Sequence, residues 1–335
     1  MADRRVVAEL DCSQLHDALP GFAPAGNGLL RNSSSTQLHD LQFWEKTINL
    51  KIREREIVSV GRDPASNNLI IDNPYVSRNH FQIYSVIYDE DTQYGYGELP
   101  MVYVQDCQSL EGTFVNERRI GSKAQGHTPG YLLNHGDKIE IRPYWKFHVN
   151  LWNMPVTRRA WPKIQINETH IFRDRYIIFD RRLGNGSVGT VHLALKVRSN
   201  RQVACKIHDL DKLRSLKGQQ QTVRRVNDES DILAKLHHPN ILRFEYAYRS
   251  RHTLYTFIEL ATGGDLFSTV LFHEDSFPAT LAQLIVYQIV RAIRHLHRQN
   301  LTHRDLKPEN IFFADGPSGQ GRVIMGDLGF ATGTD

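Results

Sequence analysis

The segment that most narrows what this chain can fold into is His303-Arg304-Asp305-Leu306-Lys307-Pro308-Glu309-Asn310, followed by Gly326-Asp327-Leu328-Gly329-Phe330. One short run holds a carboxylate, an ammonium and a carboxamide, and the second adds a carboxylate flanked by glycines. Upstream, Leu183-Gly184-Asn185-Gly186-Ser187-Val188-Gly189-Thr190-Val191 reads GxGxxGxV. Its glycines let backbone N–H groups approach phosphate oxygens. Val203-Ala204-Cys205-Lys206 then sets a lysine on an apolar strand. Glu229 opens Glu229-Ser230-Asp231-Ile232-Leu233 on a helix ahead of His238-Pro239-Asn240. A strand lysine and a helix glutamate can pair across a cleft and hold two phosphates between them.

In this order and spacing the runs resemble the serine/threonine protein kinases, most like the calcium/calmodulin-kinase-type group. The resemblance implies ATP and Mg²⁺ as cofactors and protein Ser/Thr residues as substrates. Asp305 would orient the substrate hydroxyl and accept its proton, and Lys307 would neutralise the transferring γ-phosphate. Asn310 and Asp327 would hold Mg²⁺, and Lys206, fixed by Glu229, would grip the α- and β-phosphates. Leu183, Gly184, Gly186, Gly189 and Val191 would cover the nucleotide. Glu259 to Ala261 look like the hinge that reads the adenine edge, with Ile258 as gatekeeper. Val191, Ala204 and Phe312 would sandwich the ring, Phe312 standing where the family usually has leucine, and Asp265 would meet the ribose. Leu233, Phe244, His303 and Leu328 match the stacked core that links the two lobes. The metal motif reads Asp-Leu-Gly rather than Asp-Phe-Gly, which keeps the ligand and the apolar plug.

The sequence stops at Asp335, early in the activation segment of such a domain, which by resemblance would continue for roughly another hundred residues. The kinase portion is therefore expected to be truncated, with ATP-site chemistry but poor turnover of peptides. A helix from Thr280 to Arg298, with Thr280 as N-cap, carries Leu281, Leu284, Ile285, Gln288, Ile289, Ala292, Ile293 and Leu296 at helical spacing. Part of its apolar face is expected to lack partners. Arg304 implies control by activation-loop phosphorylation, and Thr332 and Thr334 begin that loop.

The first half reads differently. Short apolar runs at Ile48–Ile52, Ile57–Val60, Phe81–Tyr88, Met101–Val104, Thr113–Val115, Lys138–Ile141 and Phe147–Leu151, separated by turn residues, predict a β-sandwich. Within it Gly61-Arg62, Ser77-Arg78-Asn79-His80 and Gly112-Thr113-Phe114-Val115-Asn116 resemble a forkhead-associated (FHA) domain. That family binds phosphothreonine with loops at one end of the sandwich. Arg62 would fork onto two phosphate oxygens, Ser77 would donate a hydrogen bond, and Arg78 would add a second cation. His80 reads as a buried brace for the loop. Glu111 stands where the family usually has an asparagine that clamps the peptide backbone, unless Asn116 takes that part.

The whole is expected to be multidomain, an all-β FHA sandwich followed by a truncated α+β bilobal protein-kinase fold. The expected divisions are a disordered tail over 1–37, the FHA domain over 38–152, a linker over 153–172 and the kinase domain over 173–335. An FHA domain followed by this kinase type resembles the DNA-damage checkpoint effector kinases of fungi and animals. That implies binding of phosphothreonine-containing proteins, self-association through a tail phosphorylated at Ser13-Gln14 or Thr36-Gln37, and a nuclear or cytoplasmic location. The alternative is a phosphopeptide-binding adaptor whose kinase half binds ATP without turnover. Composition excludes other classes. With 40% hydrophobic and 23% charged residues among 335, the chain is neither wholly disordered nor fibrous. No stretch approaches the roughly 18 apolar residues of a membrane span, so no membrane partner is expected. Cys12, Cys107 and Cys205 lie far apart and form no CxxC pair. The net charge of +4 is mild, and the pairs Arg158-Arg159, Arg181-Arg182 and Arg224-Arg225 are scattered without interleaved aromatics. Direct nucleic-acid binding is not expected.

Overall fold

A computed structural model of the chain describes residues 5–14, 30–32, 48–87, 100–152, 161–186, 188–215, 220–271, 277–316 and 321–333. The described residues form two compact units.

The first unit is a sandwich of two six-stranded sheets. One sheet runs β3 (Ile48–Arg53), β1 (Val6–Gln14), β12 (Trp145–Leu151), β11 (Lys138–Ile141), β8 (Thr113–Val115) and β9 (Arg118–Gly121). The other runs β10 (Tyr131–Leu132), β7 (Met101–Asp106), β6 (Phe81–Val86), β4 (Ile57–Gly61), β5 (Leu69–Ile71) and β2 (Leu30–Asn32). Strand β12 shows the physical logic. Trp145, Phe147, Val149 and Leu151 are buried, while the alternating Lys146, His148 and Asn150 are half-buried. The inward residues join Leu10, Ile52, Val60, Phe81, Ile83 and Ile139 in one core.

The predicted tail needs correction. Val6–Gln14 is an inner strand, paired antiparallel with β12 from Ala8–Leu151 to Gln14–Trp145, and with β3 on its other side. Ala8, Leu10 and Cys12 alternate with Glu9 and Asp11, and all three are buried. Ser13 thus lies in a strand rather than a mobile tail, and Thr36 lies outside the described residues. Strands β2, β5, β9 and β10 also escaped the sequence reading; none exceeds four residues, too short to show a period.

The second unit opens with a five-stranded antiparallel sheet, β13 (Tyr176–Gly186), β14 (Gly189–Lys196), β15 (Arg201–Asp209), β17 (Thr253–Glu259) and β16 (Phe244–Arg249). Helices α2 (Leu210–Ser215) and α3 (Gln220–Lys235) lie between β15 and β16 in the chain. A helical part follows, with α4 (Leu266–Leu271), α5 (Ala279–Arg298) and the short pairs β18 (Leu301–Thr302) with β21 (Thr332–Gly333) and β19 (Ile311–Phe313) with β20 (Val323–Met325).

Two further readings change. The predicted linker contains a helix, α1 (Lys163–Phe172), whose Phe172 packs among Tyr248, Tyr255 and Phe257. Buried Glu168 accepts hydrogen bonds from Tyr255 Oη at 2.9 Å and from Ser250 Oγ. Pro155 and Pro162, which read as linker residues, precede this helix, and Pro162 occupies its N-cap with φ −54°, so the helix starts where the prolines stop. Helix α5 begins at Ala279, with Pro278 rather than Thr280 as its N-cap. Ile285, Ala292 and Leu296 are buried in the unit's core and Leu281, Ile289 and Ile293 pack on it, so of the predicted apolar face Leu284 is the exposed member; Val286, Tyr287 and Val290, outside that face, are exposed with it.

Candidate functional site

In the sandwich, the candidate residues lie on three loops tied together by backbone bonds. Arg62 N–H donates to Ser77 O at 2.9 Å and Asp63 N–H to Arg78 O at 3.1 Å. Gly61 permits this closeness, because a Cβ there would stand 2.2 Å from Arg78 O. Asn67, buried, donates to the carbonyls of both Asp63 and Arg78 at 2.7 Å. The third loop is joined by Leu110 N–H, which donates to Ser77 Oγ at 2.9 Å. That bond leaves the Ser77 hydroxyl proton for another acceptor.

His80 is the brace foreseen in the sequence. Its ring is fully buried; Nδ1 accepts from Ser77 N–H at 3.1 Å and Nε2 faces Gly112 O at 3.3 Å. An acceptor at Nδ1 and a carbonyl at Nε2 require the neutral Nε2–H tautomer. Burial lowers its pKa below the ordinary value, against weaker opposing effects of Gly112, Asp106 and Glu111. The sequence reading missed Asp106, whose buried carboxylate accepts from Ser109 N–H, Ser109 Oγ and Thr113 Oγ1 and so shapes the loop carrying Leu110 to Gly112. Arg62, Arg78 and Glu111 are exposed, and among the described residues neither arginine forms an ion pair. Arg78 nonetheless lies near enough to Asp63 to help the hydrogen bonds from Ala65 and Ser66 hold its carboxyl below the usual range. Asn116 does not take the peptide-clamping part. It sits with Glu117 in the β8–β9 turn, both at positive φ (48° and 68°), the geometry of a type I′ hairpin. Its Nδ2 donates to Asp137 Oδ1 and its Oδ1 accepts from Lys138 N–H.

In the second unit, the glycine-rich run is the β13–β14 hairpin, with Gly184 opposite Val191 and Gly186 opposite Gly189. A Cβ on Gly189 would stand 2.6 Å from Ile207 O, so the hairpin lies close on β15, whereas Gly184 faces open space. Leu183 is buried at its base. Val191 sits beside Lys206 in the sheet register and Ala204 beside Ile258. Lys206 Nζ reaches Glu229 on α3 at 2.8 and 3.0 Å, both side chains largely buried. A shielded pair of this kind is far better defined than an exposed one.

The loop after β18 is organised from below. His303, buried, accepts Asp305 N–H at Nδ1 (3.3 Å) and donates from Nε2 to Gly326 O (3.0 Å), joining the two carboxylate-bearing runs. Asn310 Nδ2 donates to Asp305 O at 2.8 Å and to Asp305 Oδ2 at 3.0 Å; Lys307 Nζ lies 3.3 Å from the same Oδ2. Asp327 adopts φ +52° and Arg304 φ +67°, left-handed conformations held by the surrounding contacts. Leu328 and Leu233 share the core on which Phe244 packs, as foreseen. Asn310 Oδ1 and the Asp327 carboxylate are hard oxygens that fit Mg²⁺. Among the described residues no cluster of three or more His, Cys, Asp or Glu could hold a metal, so a cation here would need oxygens from a ligand.

Phe312, Ile258 and Ala261 each pack on the buried cluster of Leu242, Ala314 and Ile324, and a Cβ on Gly326 would touch the Phe312 ring at 2.9 Å. Asp265 forms a backbone bridge with Phe312, but its carboxylate accepts Ser268 N–H at 2.6 Å and Ser268 Oγ at 3.0 Å, capping α4. Burial raises its pKa. Glu259 turns its buried carboxylate away to Arg322 Nη2 (2.6 Å) and Arg243 N–H (2.7 Å), leaving only its backbone for a ligand edge. Arg322 Nη1 also donates to Pro239 O at 2.9 Å. Neither partner was legible in the sequence, because they come from distant segments.

The FHA domain family matches residues 58–142, and the protein kinase domain family matches residues 177–335. The meiosis-specific serine/threonine-protein kinase mek1 of Schizosaccharomyces pombe is 35% identical over 285 residues, which cover 84% of this chain and 57% of that protein. The meiosis-specific serine/threonine-protein kinase MEK1 of Saccharomyces cerevisiae is 31% identical over 299 residues, 86% of this chain and 56% of that protein. The serine/threonine-protein kinase cds1 of Schizosaccharomyces pombe is 29% identical over 252 residues, 75% of this chain and 52% of that protein. The chain thus spans little more than half the length of these relatives.

Proposed function

This chain joins an FHA domain to a protein kinase domain, and we propose that it transfers the γ-phosphate of ATP to protein Ser/Thr residues after recruitment through phosphothreonine. The observation that carries the catalytic half is the Lys206–Glu229 pair, because it holds an ammonium at a defined point beneath the glycine-rich hairpin. In this reading Lys206 grips the α- and β-phosphates, and Leu183, Gly184, Gly186, Gly189 and Val191 cover the nucleotide. Ala204, Val191 and Phe312 enclose the adenine, whose edge meets the backbone of Glu259 to Ala261. Asp265 reaches the ribose only if its carboxylate accepts a bond beyond those from Ser268. Asp305 orients the substrate hydroxyl and takes its proton, while Lys307 neutralises charge on the moving phosphoryl group. Asn310 and Asp327 hold Mg²⁺, which supplies charge neutralisation when bound.

The recruiting half rests on Arg62 and Arg78, two exposed guanidiniums that form no ion pair among the described residues, beside a Ser77 hydroxyl whose proton is uncommitted. Phosphate is the ligand such a set fits, since a guanidinium fork meets two of its oxygens at once. Glu111 brings negative charge to the same rim and weakens that fit. A role of checkpoint type, with nuclear or cytoplasmic location and self-association through a phosphorylated threonine, belongs to the same proposal and rests on the two-domain resemblance.

The test is heat unfolding of the chain with and without Mg²⁺–ATP, beside an Asp327→Ala control. A ligand that binds only the folded state must raise its stability, by about 2.7 kcal/mol at a hundred times Kd. An Asp327-dependent rise followed by Asp305-dependent peptide phosphorylation supports the kinase reading. A rise without turnover would leave the phosphopeptide-binding adaptor, and no rise would refute nucleotide binding.

A further inference from the structure

Besides Arg62 and Arg78, the guanidinium of Arg119, on β9, stands by the loops of the sandwich. Gly112 is buried at φ +90°, and the space where its side chain would point is filled by Arg119, whose Nε and Cδ lie 3.1 and 3.2 Å from that position. Arg119 therefore lies across the backbone of the Leu110–Gly112 loop, the wall tied to Ser77 through Leu110 N–H and to His80 through Gly112 O.

Its charge is uncommitted. The guanidinium carbon sits 5.2 Å from the centroid of the Phe114 ring, a weak attraction that orients the side chain without neutralising it. The other guanidinium on that ring, Arg142, lies 4.1 Å from the centroid and bonds to Glu140 Oε2 at 3.1 Å and Glu117 O at 3.3 Å. Arg119 has no such partner among the described residues, and it remains exposed. Glu111, next to Gly112, forms no ion pair with it. Thus one ring carries a guanidinium already paired and another held in place for an anion that the chain does not supply.

We propose that Arg119 is a specificity-determining residue of the phosphothreonine site, binding a carboxylate side chain of the peptide that flanks the phosphothreonine. The assignment rests on the phosphothreonine reading of the sandwich. Arg62 and Arg78 meet the phosphate, while Arg119, packed against Gly112, meets the chain leaving it. Glu111 sharpens the choice by repelling an acidic residue on its own side. An arginine fork and a carboxylate match geometrically, so aspartate or glutamate is preferred to a neutral residue and lysine is refused.

The experiment measures binding of fluorescein-labelled phosphothreonine peptides to the full chain by polarisation. Alanine, aspartate or lysine is placed in turn at each of the three positions on either side of the phosphothreonine. Aspartate at one of these positions is expected to bind about tenfold tighter than alanine, the worth of one charge-assisted bond. Arg119→Ala flattens that ranking while keeping dependence on the phosphate, Arg119→Lys restores most of it, and Arg119→Glu turns it toward lysine. The assignment is overturned if wild type ranks alanine and aspartate alike at every position, a result that needs no variant to fold. It is equally overturned if Arg119→Ala keeps the wild-type ranking. If neither wild type nor Arg62→Ala distinguishes phosphorylated from unphosphorylated peptide, the phosphothreonine reading itself falls, and Arg119 with it.

Discussion

The two units hold their candidate residues by the same device and use charge in opposite ways. In each, a buried histidine accepts a backbone N–H at Nδ1 and meets a distant carbonyl with Nε2: His80 between Ser77 and Gly112, His303 between Asp305 and Gly326. A neutral imidazole with both nitrogens satisfied is a rigid strut that puts no charge into the site. Around it the electrostatics diverge. In the sandwich the guanidiniums of Arg62, Arg78 and Arg119 form no ion pair among the described residues, although Arg78 acts on Asp63 nearby. In the second unit Lys206 pairs with Glu229, Lys307 with Asp305 and Arg322 with Glu259. Bare cations await a dianion that arrives carrying the neutralising charge. Paired charges mark a site where several groups must keep fixed positions before a polyanion and its cation enter. The first arrangement suits recognition, the second preorganised chemistry.

Breaking a pair in the second unit should cost the most. Arg322→Ala strands the buried Glu259 carboxylate and is expected to destabilise that unit by about 3 kcal/mol, the low end for breaking a buried pair because Arg322 is 35% exposed. Denaturant unfolding measures it, and a loss under about 0.5 kcal/mol would show that the pair is no more than a surface contact. The matching change in the sandwich, Arg62→Ala, should leave stability nearly untouched but weaken phosphothreonine-peptide binding about 100-fold, since it removes bidentate charge-assisted bonds. Calorimetric titration separates the two effects. Equal losses of stability and binding would erase the contrast between the units.

A third prediction concerns a histidine that is not a strut. His208, on β15 beside Lys206, is buried with neither ring nitrogen hydrogen-bonded, and burial, with Lys206 adding to it, lowers its pKa from 6.5 to about 3. A histidine whose folded pKa is depressed contributes stability that is complete above the unfolded value of 6.5 and lost as pH falls toward 3. Between pH 6.5 and about pH 5 the second unit should lose about 2 kcal/mol by this route. His208→Leu should flatten that limb in a pH series of melts, and an unchanged slope would assign the acid sensitivity elsewhere. The smallest effect is expected of Glu111→Asn, which removes one like charge from the phosphate rim. Affinity for a phosphothreonine peptide should rise about threefold, less than 1 kcal/mol, because the group is exposed and screened. Weaker binding would mean that Glu111 accepts a peptide N–H that matters more than its charge.

How far the sequence could be read varies from residue to residue for physical reasons. Gly61, Arg62, Ser77, Arg78 and His80 were legible because a glycine forced by a 2.2 Å approach and a loop carrying guanidiniums leave a local pattern. Lys206, Glu229, Asp305, Asn310 and Asp327 were legible because they stand in short runs whose order and spacing resemble protein-kinase motifs. Strand β1 was not, since Ala8, Leu10 and Cys12 are a weak alternation between acidic residues, and only β12 and β3 far along the chain make it an inner strand. Helix α1 was obscured by the prolines before it. Asp106, Arg119 and Arg322 carry no local signal at all, because their parts depend on partners in other elements.

The sequence alone therefore determined the two domain classes, their order and the chemistry of each loop, because these depend on residue types at short spacing. The tertiary structure decided the rest. It set which carboxylates are paired, turned the Glu259 carboxylate toward Arg322, gave Asn116 to a hairpin, and laid Arg119 across Gly112. Pairing and burial are properties of groups brought together from far apart in the chain, and no spacing along it encodes them.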